Sequence, residues 1–474
     1  MPTPSPTIAP KPLAGSSTLR ALLFLAWPVL IEQSLSMLIM ISERWLTGNF
    51  LPAPKFMAAV TLVTYVLGFL TGLYAAVAIG ALALVARMVG AGDTVAARRA
   101  TNQALTLGLM IVAGTVAIGL LLGRWGIERI GLHGSAASLA ASYLKILVIG
   151  LPAMMLSQVG MAALRGAGDT VTGLVAMIFQ NAVNILVGFG LVSGWGPFPN
   201  LGWTGLAIGA VCGYWTAAAI VLARLLIGRY GLWIEWGWLR PDLGLIRRLL
   251  RIGIPGGVDA LCVSLCQFWF LSIVTRLGNV SMAAFGIAIT IEALAFLPGS
   301  AFQVASTTLA GQYLGAGDPR RAARSVWMAC GACSGLMTVV AIGFFIEADW
   351  LTRQFVADGQ TEAGRLAAVL VRIVAFGQLP QAFLMVFSGA LRGVGDTRAT
   401  LAISFVGFLL VRIPLAYLLA WSTIDIGVGP WHWTLHGFGW GVEGAWYAMV
   451  SDMLVRGLLS TGRFCQGGWK RIEV

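Results

Sequence analysis

The chain has 474 residues, 58% of them hydrophobic and only 11% charged, with a mean hydropathy of +0.85. Soluble domains carry about 25% charged residues, so charge is too scarce here to cover a water-facing surface. The formal net charge of +12 points to membrane orientation and not to nucleic acid, because the arginines gather at one side of the apolar runs.

Residues 1–18 are rich in Pro, Ser and Thr and are expected to be disordered. The first apolar run, Ala21–Met40, is too long for a signal-peptide core and lacks a cleavage pattern, so it is expected to stay as helix 1. Runs close to the roughly 20 residues that cross a bilayer recur to the end of the chain. They predict helices at 21–47, 56–88, 95–123, 136–163, 171–194, 202–227, 254–276, 282–313, 323–346, 366–390, 398–421 and 440–461. The alternation of a β-barrel is absent. The expected fold is an all-α membrane protein, with twelve transmembrane helices in two six-helix, pseudo-symmetric lobes. The first lobe is expected over 19–227, a basic linker over 228–251, the second lobe over 252–462 and a tail over 463–474. Arg98, Arg99, Arg247, Arg248, Arg251, Arg320, Arg321, Arg324, Lys470 and Arg471 fall on one side. The positive-inside rule makes that side cytoplasmic, with both termini there. A multi-pass protein of the cell membrane follows, with lipids as its surroundings.

The halves repeat each other. "LRGAGDT" at 164–170 returns as "LRGVGDT" at 391–397, and "GAGD" at 90–93 returns at 315–318. Pro28 matches Pro255, Glu32 matches Asp259, Lys145 matches Arg372 and Gly150 matches Gly377, all 227 positions apart. An even number of helices per half makes these parallel repeats, an arrangement suited to alternating access. The glycines read as helix stops, and Asp93, Asp169, Asp318 and Asp396 as N-caps of the next helix. Arg165 and Arg392 can bond exposed carbonyls or nearby carboxylates. A phosphate-binding loop is excluded, since no GxxxxGK[ST] is present.

The six cysteines give no disulfide framework. Cys330-x-x-Cys333 lacks the second pair or histidine that a zinc site needs, and no metal or cofactor is expected. His133, His432 and His436 lie in outer loops, with neither HExxH nor a Ser/His pairing, so no enzyme is expected.

With "IEALAFLPGSAFQVASTTLAGQYLGAGDPRRA" at 291–322, "VRIPLAYLL" at 411–419 and the closing "GGWKRIEV", the paired heptapeptides resemble the multidrug and toxic compound extrusion (MATE) family, in particular its DinF-like branch. The resemblance runs from about Ala26 to Val474. It implies a twelve-helix antiporter that exports small organic compounds, cationic ones among them, in exchange for H⁺ or Na⁺, and is expected to act as a monomer. The family's helix 1 acid falls on Glu43. Its helix 5 pattern is met at Asn184 but not at Gly188, where a second acid would stand. Positions of a helix 7 glutamate and a helix 10 aspartate read Val263 and Gln381. A lipid-linked oligosaccharide or lipid flippase of related architecture is the alternative.

Carboxylates inside apolar spans are costly and are functional by default. Glu32, Glu43, Asp259 and Glu292 qualify as ion-coupling or substrate residues. Glu43 could instead join Arg44 at the outer interface. Glu32 and Asp259 could cap backbone freed by the prolines, and Glu292 could pair with Arg412. Asn181 and Asn184 share a face of helix 5, where Asn184, or Glu43, could ligate Na⁺; interhelical hydrogen bonding is the plainer role. Lys145 and Arg372 are expected at outer headgroups, and Asp452 with Arg456 as an i,i+4 ion pair. Trp431, Trp433 and Trp440, like Trp233, Trp236 and Trp238, suit an interfacial belt. Met37, Met40, Met154 and Met155 suit an adaptable lining or ordinary packing.

Overall fold

The computed structural model describes residues 17–51, 53–129, 134–355, 362–428 and 431–472. Most of the expected disordered tail, and the loop holding His133, lie outside them. Among the described residues there are twelve long helices. The first six are α1 (Thr18–Phe50), α2 (Pro54–Gly90), α3 (Thr94–Arg129), α4 (Gly134–Gly166), α5 (Val171–Ser193) and α6 (Trp203–Ile227). The second six are α7 (Leu243–Thr275), α8 (Asn279–Gly315), α9 (Pro319–Ile346), α10 (Glu362–Gly393), α11 (Thr397–Ala420) and α12 (Gly441–Cys465). The repeat survives as helix length: 33 and 37 residues open both sets, and 25 residues close both. Eleven of these helices are apolar enough to cross a membrane on composition. The exception, α12, is long enough but carries Glu443, Asp452, Arg456 and Arg463.

Three departures from the sequence reading have physical causes. Helix α7 starts at Leu243, eleven residues before the expected 254. The Asp242 carboxylate caps it, accepting from the backbone N–H groups of Gly244 (2.9 Å) and Leu245 (3.3 Å). Its first turns are amphipathic, with Ile246 and Leu249 buried and Arg247, Arg248 and Arg251 exposed. The linker therefore shrinks to 228–242 and is tied to α3. Asn102 donates to the Trp233 carbonyl (3.0 Å) and accepts from the Glu235 N–H (3.0 Å), while Gln103 donates to the carbonyls of Trp238 and Arg240 (both 2.7 Å). Second, the loop after α11 holds an antiparallel hairpin, β1 (Thr423–Val428) paired with β2 (Trp431–His436), a small addition to the expected all-helical fold. Third, α11 has a π-helical stretch at Val406–Arg412, a local widening that periodicity does not reveal.

Contacts divide the chain into two compact units, Met1–Gly257 with Gly311–Asp318 and Val258–Ala310 with Pro319–Glu473. The first boundary falls inside α7. Within the first unit, Gly253 and Gly257 lie so close to Ala76 of α2 that neither position has room for a side chain. Within the second, Gly393 meets the Thr307 carbonyl of α8 in the same way.

Four helices end alike. At Gly92, Gly168, Gly317 and Gly395 φ is 77°, 93°, 75° and 92°. In each case the next residue, an aspartate, donates its N–H to a carbonyl five residues back, at 2.8–3.0 Å, and the glycine N–H bonds one three residues back. This is the Schellman stop, which needs the left-handed conformation at its glycine. Alanine there is strained by about 1–2 kcal/mol. Gly168→Ala and Gly395→Ala should each lower unfolding free energy by that amount in detergent denaturation, whereas Gly331→Ala, in a helix with open space, should not.

Candidate functional site

Each residue of the duplicated heptapeptide now has a place. Leu164 and Leu391 are fully buried. Gly166 presses on the Leu82 carbonyl and Gly393 on that of Thr307. Arg165 donates to Glu32 of α1, and Arg392 Nη2 donates to Asp259 Oδ2 of α7 at 2.5 Å; both pairs are 133 residues apart in sequence. Asp169 accepts from Arg224 Nε at 3.1 Å, and Asp396 from Arg463 Nε at 2.9 Å. Each unit thus repeats one clasp that joins its first, fourth and sixth helices by two buried ion pairs.

The clasps correct two expectations. Glu32 and Asp259 bond no proline-freed backbone; each carboxylate binds an arginine. The N-cap role holds at Asp93 (from the Ala96 N–H, 2.8 Å) and Asp169 (from the Thr172 N–H, 3.0 Å). It fails at Asp396, which makes no side-chain cap and turns to Arg463 instead. Arg224 and Arg463 escaped the sequence comparison because the separations are 55 and 67 residues, the hairpin lengthening the second.

Higher in the first unit, Glu43 is half-buried on α1 and parts from Arg44, which is exposed. Its carboxylate faces the buried Asn184 side chain of α5, and Tyr143 of α4 and Tyr214 of α6 lie within electrostatic reach. Among the described residues Glu43 has no basic ion-pair partner. The Asn184 backbone carbonyl and Gly188 are approached by Gly209 of α6, which sets α5 firmly behind the site. Asn181 spends its amide on the Met177 carbonyl of its own helix (2.8 Å), leaving Oδ1 buried without a bond. Glu43 thus turns toward α5 while Arg44 is exposed, and Tyr143 and Tyr214 are neighbours that no sequence motif marked.

Among the described residues the second unit has no copy of this arrangement. The position matching Glu43 is Phe270, and the polar centre lies on α11 and α12. Arg456 makes a two-bonded pair with Asp452 (2.7 and 2.6 Å), as expected. Arg412 joins them at 2.9 Å and also donates to Gln267 Oε1 at 3.3 Å. Of the alternatives open for Glu292, the pair with Arg412 is not made: Glu292 is half-buried on α8 and only feels the Arg412 charge. Phe408 covers both guanidinium groups, at 5.2 and 4.1 Å from its ring centre. The π-helical widening gives α11 a glycine, Gly407, against Asp452 and Arg456, where a side chain would exclude them.

Other assignments also resolve. Lys145 is exposed, but Arg372 pairs with Asp349 at 2.6 Å and is not a free headgroup contact. Arg98 stacks on Trp233 at 3.4 Å and faces Trp238, so those two tryptophans hold the linker against α3. Met155 is fully buried and packs in the core. Cys330 and Cys333 contact Ser334 and Met337 of their own helix. No cluster of three metal-ligating side chains occurs among the described residues.

Comparison with known proteins agrees with this architecture. The MatE family matches residues 28–189 and again 255–418, two copies starting 227 residues apart. The chain is 27% identical over 464 residues to a probable multidrug resistance protein NorM of Thermotoga maritima, covering 96% of this chain and 94% of that one. It is 28% identical over 473 residues to the NorM of Deinococcus radiodurans, covering 97% of each. Among solved structures, an outward-facing multidrug resistance MATE transporter of the MOP superfamily superposes with a TM-score of 0.87 at 20% identity, covering 99% of this chain and all of that one. A MOP superfamily transporter from Pyrococcus furiosus gives 0.85 at 20% identity, with the same coverage. With both halves matched by the same family and a shared twelve-helix fold, the chain belongs to the MatE (multidrug and toxic compound extrusion) family of membrane transporters.

Proposed function

We propose that this protein is a cation-coupled antiporter, driven by H⁺ or Na⁺, that exports small organic compounds from the cell by alternating access. One observation carries the reading: an intramembrane carboxylate, Glu43, faces Asn184 and has no basic partner among the described residues. A carboxylate locked to arginine stays ionised and cannot trade its charge. Glu43 is not locked. It can take up a proton or a small cation from one side, give it up on the other, and change its attraction for cargo in between. Asn184 supplies an amide oxygen for Na⁺ or an amide N–H for the ionised carboxylate. Glu32 and Asp259, held by Arg165 and Arg392, serve better as struts than as coupling groups. The names of the relatives, multidrug resistance proteins, support export over the flippase alternative. The "VRIPLAYLL" and "GGWKRIEV" phrases support placement in the DinF-like branch. The arginine-rich end of the helices supports cytoplasmic termini.

The test is transport in proteoliposomes containing the full chain, with a H⁺ gradient and a Na⁺ gradient imposed separately. One of the two should drive extrusion of an organic dye such as ethidium well above the leak of empty vesicles. Extrusion that neither gradient stimulates would overturn the reading.

A further inference from the structure

The stretch between α6 and the first turns of α7 carries more positive charge than its own fold uses. Residues 228–251 hold five arginines against Glu235 and Asp242, and both acids are engaged. Asp242 caps α7, and Glu235 acts on Arg98 of α3. Arg240, Arg247, Arg248 and Arg251 are exposed and make no ion pair among the described residues. Two large apolar side chains stand among them, since Trp236 and Leu243 are each 79% exposed. Trp236 differs in this from Trp233 and Trp238, whose rings already lie against Arg98. The register of α7 sets which side chains are left over. Ile246, Leu249 and Ile252 pack into the first unit, while Leu243, Arg247, Arg251 and Ile254 form the opposite, unpacked stripe. From Ile252 to Thr275, at about 1.5 Å per residue, α7 already spans the roughly 30 Å of bilayer hydrocarbon. Leu243–Arg251 therefore extends beyond the hydrocarbon, at headgroup level. Guanidinium groups placed there can fork onto phosphate oxygens, and a tryptophan and a leucine beside them suit the boundary of headgroup and acyl chain. A soluble acidic partner would meet the arginines but give the two exposed apolar side chains no role.

We propose that Trp236, Arg240, Arg247, Arg248 and Arg251 form a docking surface for anionic phospholipid headgroups, which ties the linker and the start of α7 to the membrane surface. The inference concerns lipid binding and does not depend on what the protein exports or on which ion drives it.

The purified full chain in a neutral detergent is titrated with phosphatidylglycerol and, separately, with zwitterionic phosphatidylcholine, and bound lipid is counted by native mass spectrometry. The unsubstituted protein should bind the anionic lipid about tenfold more tightly, with a preference that shrinks as salt rises. Arg240→Gln/Arg247→Gln/Arg248→Gln/Arg251→Gln should bring the two lipids within about twofold of each other. Trp236→Ser should weaken both lipids alike and keep their ratio. Arg320→Gln/Arg321→Gln/Arg324→Gln, which removes as dense a basic cluster at the start of α9, should keep the full preference. Three results would each overturn the proposal: equal binding of the two lipids by the unsubstituted protein, a preference that survives the fourfold variant, or one lost equally in the α9 variant. Release of bound phosphatidylglycerol by inorganic phosphate at matched ionic strength would mark a site for free anions and overturn it as well. If the fourfold variant does not fold, Arg247→Gln/Arg251→Gln decides, with an expected loss of preference of about threefold.

Discussion

Arg392→Ala should lower the unfolding free energy by about 3–5 kcal/mol, the usual cost of stranding one partner of a buried ion pair. Asp259 is completely buried, and its Oδ2 accepts from Arg392 at 2.5 Å while Oδ1 has no partner. Removal of the guanidinium leaves the carboxylate with no bond. The Arg456 charge acts on Asp259 from a distance and softens the loss without replacing the contact. The double variant Asp259→Asn/Arg392→Gln, neutral at both ends, should recover most of the stability. Loss of the exposed Arg372–Asp349 pair should cost no more than about 1 kcal/mol. Thermal unfolding in detergent measures all three. A double variant no more stable than Arg392→Ala would show that the clasp acts through shape and not charge. By symmetry the same series at Glu32 and Arg165 should give the same ordering.

Glu43→Gln should reduce gradient-driven efflux to the passive leak while leaving the fold intact. An amide keeps the size and polarity of the side chain but can neither release a proton nor neutralise Na⁺. It breaks no ion pair, because Glu43 has none among the described residues, and its neighbour Asn184 can bond an amide as well as an acid. The expected stability change is within about 1 kcal/mol, in contrast with the clasp. Efflux and unfolding temperature measured on the same preparation separate the two effects. Ion-driven efflux equal to that of the unsubstituted protein would remove Glu43 from the mechanism and leave Glu292 as the next acid to test.

The helices and the doubling were legible because both are written in short-range pattern: apolar runs of membrane length, and landmarks at a constant offset. Partners were less legible. Arg165 and Arg392 were visible as repeated residues, but their ion pairs span 133 positions and depend on how α1 meets α4. Arg224 and Arg463 were hidden because the hairpin of Thr423–His436 shifts the register of the second half. A pair of Glu292 with Arg412 was one alternative in the sequence; that Arg412 joins Asp452 instead was hidden, since the Asp452–Arg456 pair looks complete from its i,i+4 spacing alone. Tyr143 and Tyr214 are ordinary aromatic residues in apolar helices until the packing brings them near Glu43.

The low hydropathy of α12 bears on how the chain is made. On insertion scales an arginine or aspartate at mid-helix costs about 2.5–3.5 kcal/mol. Asp452 and Arg456 would meet that charge in α12, and Arg412 in α11, if each helix left the translocon alone. Bound to one another, the three carry one net positive charge in place of three separate ones. The last two helices are therefore better suited to enter the bilayer together than one at a time.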